Sequence, residues 1–454
     1  MNFKHFSLFK TEASLLLKLA FPILLAQLAL TGLGVVDTLM SGQVGTNDLA
    51  AIGLGSSIML PVFMFATGIL LAITPLVAKA NGESRPQHIT RYLNQGLWLS
   101  IPLGLLCLVA LMNLEWILDL LSLDESVYQL TSDYLFYIAF GMPAIALYQV
   151  LRFFWEGLGT TLPTMWISFF ALFLNIPLNA IFIYGWGPVE AMGAAGCGVA
   201  SMIVMWMMFF AGVLYVLKSK LTLPFIVKTN TFRPSWQLGL KPILGLGLPI
   251  TFALLFEVSL FSLIALFVAP LGAVVIAGHQ IAINFTSLAF MVPLSFAMAL
   301  TVRVGFGYGE NNPAQLRLSL ITGFSFAVLL GFILALISYF LRLDIVGLYS
   351  EDSQVVHLAA SLLVFAAIYQ VFDAIQVTAA GALRGFHDTK VTMMVTLISY
   401  WGIGLGVGYV FAFTDWLVIP MGVQGFWLGI VLGLTLAAVL LSLRLRKVCH
   451  ATLF

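Results

Sequence analysis

Leu362 to Arg384 reads LLVFAAIYQVFDAIQVTAAGALR. The stretch is long and apolar enough to cross a bilayer as one helix. At its middle sits Asp373, and no basic side chain nearby in the segment neutralises it. A carboxylate at the centre of a membrane helix costs about 2.5–3.5 kcal/mol on insertion scales, so one kept there is a functional candidate. Tyr369, one turn earlier, and Gln376, about one turn later, share its helical face.

Composition extends this reading to the whole chain. Of 454 residues, 61% are hydrophobic and 9% charged, against about 25% charged in a soluble domain. The chain is therefore expected to be an all-α integral membrane protein, with the lipid bilayer as its main partner and no nucleic acid. No cleavable signal peptide is evident. Met1–Ser14 is polar, and the apolar run from Leu15 is of spanning length rather than a short leader core. Cys107, Cys197 and Cys449 are too few for a disulfide framework and lack metal-ligand spacing.

Twelve apolar segments are each long enough to span, at 15–41, 49–78, 92–113, 127–151, 163–185, 192–217, 241–267, 274–302, 316–341, 354–383, 391–414 and 421–443. Alternate ends of these segments collect every Lys and Arg except Arg342. Cytoplasmic loops are enriched in basic residues, so both termini are expected in the cytoplasm, and the span count is even.

The chain also repeats itself at half length. Leu19-Ala20-Phe21-Pro22-Ile23 matches Leu246-Gly247-Leu248-Pro249-Ile250, 227 residues on. Gly82-Glu83 with Pro86 matches Gly309-Glu310 with Pro313 at the same offset. Gly157, Thr161, Thr164 and Met165 match Gly385, Thr389, Thr392 and Met393, and Met192-Gly193 with Gly196 matches Met421-Gly422 with Gly425. Each half holds six spans, so both enter the membrane the same way round. The expected architecture is two six-helix bundles, 1–217 and 241–454, joined by a basic cytoplasmic linker, 218–240. A pseudo-two-fold axis along the membrane normal would relate them, with binding near mid-membrane.

Most acidic residues, Glu12 and Glu156 among them, fall in loops or at segment ends. Three lie inside spans: Asp37, Glu257 and Asp373. No Lys or Arg is expected deep in any span. A buried carboxyl needs a partner or takes up a proton, because desolvation favours its neutral form. The available neutralisers are H⁺, a small cation such as Na⁺, or a cationic substrate. These exclude one another at one site, which is the physics of antiport. The bland alternative is a permanently protonated carboxyl bridging two helices.

Asn175 and Asn179 lie one turn apart with Pro177 between them. Proline frees a backbone carbonyl, and amide oxygens suit hard cations; a kink held by inter-helical amide bonds fits equally well. Gln27, Thr31, Gly34 and Thr38 form a stripe leading to Asp37, and Gln280, Asn284 and Ser287 form another. With Gln376 these are candidates for a substrate cavity, with ordinary helix contacts as the alternative. His279 enters a span, and a hydrogen bond suits it better than a metal. Gly402, Gly404, Gly406 and Gly408 and the ladder Gly425, Gly429, Gly433 read as close helix packing. No phosphate-binding G-x4-G-K-[ST] loop occurs.

The stretches LAFPILLAQLALTGLGVVDTLMSG around Asp37, LFLNIPLNAIFIYG around Asn175 and Asn179, and LGLPITFALLFEVSLFSLIALFVAPLGAVVIAGHQIAINF around Glu257 carry a resemblance. So do RVGFGYGE at Arg303–Glu310 and FAAIYQVFDAIQVTAAGALRG around Asp373. Together they resemble the multidrug and toxic compound extrusion (MATE) family, in its NorM-like branch, over nearly the full length. The resemblance implies a twelve-helix fold in the bacterial inner membrane. It implies efflux of small organic cations driven by Na⁺ or H⁺, by alternating access, without a cofactor and without enzymatic chemistry. By matching motif, Glu257, Tyr369 and Asp373 look like a cation site in the second half, and Asp37, Asn175 and Asn179 like a polar site in the first.

Two other readings are weaker. A lipid-linked oligosaccharide flippase would call for basic residues facing its pyrophosphate, and none is visible inside the spans. A membrane enzyme using the three acids lacks a nucleophile–base pair or a metal motif. Nothing calls for an obligate oligomer, so a monomer is expected.

Overall fold

The computed structural model describes residues 3–120, 123–226, 233–416 and 419–453. Lys228, counted in the basic linker, lies outside the described residues. The first half of the chain forms α1 (Phe3–Gly42), α2 (Thr46–Leu70), α3 (Ile73–Gly82), α4 (Pro86–Met112), α5 (Glu115–Leu120), α6 (Glu125–Ala139), α7 (Met142–Gly157), α8 (Leu162–Tyr184) and α9 (Ala194–Lys218). The second half forms α10 (Lys241–Val268), α11 (Ala273–Gly309), α12 (Pro313–Phe340), α13 (Arg342–Gly347), α14 (Ser353–Gly385), α15 (Thr389–Thr396), α16 (Gly408–Phe413) and α17 (Val423–Leu453). Among the described residues the one extended pairing is a bridge between Trp186 and Val189. Lipid offers no partners to backbone amides, so helices that satisfy their own are the natural outcome for this sequence.

Among the described residues eleven helical segments are long and apolar enough to span, and a twelfth arises if α6 and α7 are one bent span. Those two meet at a 46° bend across Phe140-Gly141, inside what reads as one uninterrupted apolar run, 127–151. Elsewhere prolines sit inside the spans without ending them: Pro22, Pro61, Pro102, Pro177, Pro249 and Pro293. The stretch Leu397–Val407 between α15 and α16 is wound as π-helix. Gly429 lies so close to the Gly404 carbonyl, and Gly425 to Phe411 and Ala412, that no side chain fits. The ladder thus packs as its spacing suggests, whereas Gly402 has open space beside it.

The internal repeat extends to backbone conformation. Left-handed residues recur at the sequence offsets: Ser84 (φ 56°) with Asn311 (54°), Gly159 (87°) with His387 (65°), and Gly193 (56°) with Gly422 (58°). The first pair precedes Pro86 and Pro313, which open α4 and α12. Ser84, Asn311 and His387 hold this conformation at a cost of about 1–2 kcal/mol each relative to glycine.

The chain divides into two compact units. The amino-terminal unit is Pro22–Thr251, and the carboxy-terminal unit is Met1–Phe21 with Phe252–Phe454. The divisions fall inside α1 and α10, next to Pro22 and close to Pro249, which lack the backbone donor a helix needs.

Within the carboxy-terminal unit, Glu12 on α1 corrects a sequence expectation. Its sequence position suggests a loop or end acid, but α1 begins at Phe3, so Glu12 is more than two turns inside. It is 3% exposed. Arg303 donates to it twice, from Nε at 2.8 Å and Nη2 at 2.6 Å, and Ser319 adds a hydroxyl at 2.6 Å. Removing one partner of such a buried pair typically costs about 3–5 kcal/mol. In the amino-terminal unit Glu156 does end α7 as expected, yet it is buried. It accepts from Arg152 Nε at 2.8 Å and Thr164 Oγ1 at 2.9 Å. Arg152 and Arg384 are also buried, so spans do carry interior basic residues near their ends.

Candidate functional site: two buried carboxylate clusters

In the amino-terminal unit, α1 and α8 bring the predicted polar residues together. Asp37, Asn175 and Asn179 are all buried. Both amides donate to Asp37 Oδ1, Asn175 Nδ2 at 3.1 Å and Asn179 Nδ2 at 2.7 Å. Asn179 Nδ2 also reaches Asn175 Oδ1 at 3.1 Å. The one-turn spacing makes this geometry, since positions i and i+4 stack on one helix face. The second carboxylate oxygen accepts from Ser201 Oγ of α9 at 3.1 Å. Cys197, one turn before Ser201, is a further side-chain neighbour of Asp37. Sequence reading missed Ser201 and assigned Cys197 no site role. The i, i+4 spacing of two small polar side chains was the available signal. Asn179 Oδ1 is buried without a partner.

In the carboxy-terminal unit, α10 and α14 supply the second cluster. Tyr369, Asp373 and Gln376 are buried, and Glu257 is half-buried. Gln376 Nε2 donates to Asp373 Oδ1 at 3.0 Å. Among the described residues no hydrogen bond or ion pair satisfies Glu257. It lies within electrostatic range of Asp373 and of Arg384, without a salt bridge to either. Tyr400, in the π-helical stretch, is 1% exposed, has no partner for its hydroxyl, and also lies within range of both acids. The Tyr369 hydroxyl is next to Thr286 of α11. Sequence reading missed Tyr400, Thr286 and the burial of Arg384. Apart from its glycines, nothing in the 397–407 stretch marks Tyr400 as more than an aromatic in an apolar run.

The cavity candidates divide. Gln280, Asn284 and Ser287 form an exposed polar stripe on α11. Thr31 and Thr38 are exposed, but their hydroxyls bond to their own helix, at Gln27 O (2.9 Å) and Gly34 O (2.7 Å). Gln27 is half-buried. Among the described residues no group of three or more His, Cys, Asp or Glu side chains is placed to hold a metal.

The chemistry of these clusters is that of charge held out of water. The MatE family model matches residues 22–181 and 249–410, one block in each half of the chain. This chain belongs to the MatE family. Among curated relatives, a probable multidrug resistance protein NorM of Idiomarina loihiensis is 43% identical over 443 residues, covering 97% of this chain and 95% of that one. A multidrug resistance protein MdtK of Yersinia pseudotuberculosis is 42% identical over 436 residues, covering 96% and 95%. Among solved structures, the Vibrio cholerae MATE transporter VcmN in its bent form superposes with a TM-score of 0.85 at 19% identity, covering 98% of this chain and 99% of that one. At that identity the likeness concerns the fold. The paired family blocks accord with the internal repeat, and the MATE membership read from the sequence motifs holds.

Proposed function

We propose that this MatE protein is a secondary active multidrug efflux antiporter of the bacterial inner membrane. It exports small organic cations in exchange for Na⁺ or H⁺ by alternating access between two six-helix halves, 1–217 and 241–454, with both termini cytoplasmic. The drug-resistance names of relatives more than 40% identical over nearly the whole chain support the efflux part. One observation carries the antiport part. Glu257 and Asp373 are two acids within electrostatic range of each other; among the described residues Asp373 has one short-range donor, Gln376, and Glu257 has none.

Two carboxylates together in a low-dielectric interior repel, and neither can stay ionised without a positive species beside it. A mobile cation supplies that charge in one state, and its departure makes room for a cationic drug in another. Glu257, Asp373 and Tyr369 act as the coupling-cation site. Asp37, with Asn175 and Asn179, acts as the polar site of the other half. Gln280 and Asn284 lie on an exposed face of an apolar span, where polar amides favour a water-filled path over lipid. Gln27 and Thr31 belong to a similar stripe on α1. Purified protein in liposomes loaded with ethidium tests the reading, with a Na⁺ gradient alone and then a pH gradient alone. Dye export under one of the two is expected. Export under neither, with folded protein present, refutes antiport.

A further inference from the structure

His279 is fully buried in the second turn of α11, within the carboxy-terminal unit. Its Nδ1 accepts a hydrogen bond from Trp427 Nε1 of α17 at 3.2 Å. The indole N–H can only donate, so Nδ1 is unprotonated and the ring proton of neutral His279 sits on Nε2. That Nε2 is buried and meets no partner. The two rings meet edge to face, with centroids 6.0 Å apart and planes at 86°. Trp427 then lies along the ring of Tyr369, at 6.1 Å and 31°. Tyr369 sits one turn before Asp373 on α14 and places its hydroxyl at Thr286, two turns past His279 on α11. The exposed residues Gln280, Asn284 and Ser287 occupy the other face of α11. His279 and Thr286 therefore bracket the Tyr369–Trp427 pair from a buried stripe.

An indole in an apolar interior keeps its orientation when its single donor is satisfied, because a buried unpaired N–H is costly. His279 is the only acceptor that the structure gives to that donor among the described residues. We propose that His279 is a positioning residue for the coupling-cation site, holding the Trp427 indole so that it fixes the ring and hydroxyl of Tyr369 beside Asp373. The chain of contacts explains an otherwise unsatisfied histidine: its Nδ1 is needed, and its Nε2 has no task. The inference rests on the reading of Glu257, Tyr369 and Asp373 as the cation site.

The test is cation-driven ethidium export from proteoliposomes, measuring the half-saturating concentration of the driving cation separately from the maximal rate. His279→Ala is expected to raise that concentration about tenfold, the equivalent of about 1.4 kcal/mol, with a smaller change in ethidium affinity. His279→Asn puts a carbonyl oxygen where Nδ1 accepts, and should bring the value back to within about twofold of the original. In a Trp427→Phe background, which lacks the donated proton, His279→Ala should shift the value no further. An unchanged half-saturating concentration in His279→Ala overturns the proposal. So does a failure of His279→Asn to restore it, which would make the residue a packing element only. Asp373→Asn is run in parallel. If it leaves cation dependence intact, the site reading itself fails, and the positioning role falls with it. If it abolishes cation dependence while His279→Ala changes nothing, the positioning role alone is lost.

Discussion

Asp37, near the end of α1, and Asp373, well inside α14, are both buried aspartates of apolar helices, yet their surroundings differ. Asp37 accepts from Asn175, Asn179 and Ser201. Asp373 accepts from Gln376 alone, and it lies near Glu257, a second acid with no donor among the described residues. Neutral dipoles that are built in, as at Asp37, offset part of the cost of burying a carboxylate. At Asp373 one amide bonds one of two neighbouring acids, and the proposed antiport leaves the remaining charge to a mobile cation. On the proposed reading, the same residue type makes a fixed polar cluster in one half and an exchangeable site in the other.

The largest effect should come from the poorly satisfied pair. Asp373→Asn is expected to cut cation-driven ethidium export about a hundredfold, or ~2.8 kcal/mol, within the range for bonds to charged groups. Glu257→Gln should follow at about tenfold. Export measured in proteoliposomes with the gradient clamped checks both, and near-normal rates would erase the contrast between the halves. Asn179→Ala should act mainly on stability. It removes the 2.7 Å donor to Asp37, a loss of about 1–3 kcal/mol. A lowered melting temperature with an unchanged half-saturating cation concentration is expected, and the reverse pattern would move coupling to Asp37. The smallest effect should come from Thr31→Val and Thr38→Val, whose hydroxyls are already bonded to α1. Export should stay within about twofold, as for other surface changes, and a tenfold loss would show that those hydroxyls meet the drug.

Much of this was legible in the chain itself, because membrane helices announce themselves by long apolar runs and the repeat by its prolines and glycines. The three interior acids stood out for the same reason: charge is conspicuous in lipid. What escaped reading was tertiary. Glu12 sits near a polar terminus, and its partner Arg303 lies 291 residues away. The bend between α6 and α7 interrupts no apolar run. Tyr400 and Trp427 are ordinary aromatics until folding puts one near two carboxylates and the other against His279. Asn175 and Asn179 left two outcomes open, and they proved to be donors to Asp37, a partner no local pattern names.

The most direct test compares the two halves in one assay, counting driving cations entering per ethidium leaving for a Glu257→Gln, Asp373→Asn double variant and for Asp37→Asn. The double variant should show no cation movement tied to dye export, while Asp37→Asn keeps a coupled, slower exchange. Coupled exchange that survives in the double variant and vanishes in Asp37→Asn would contradict the account.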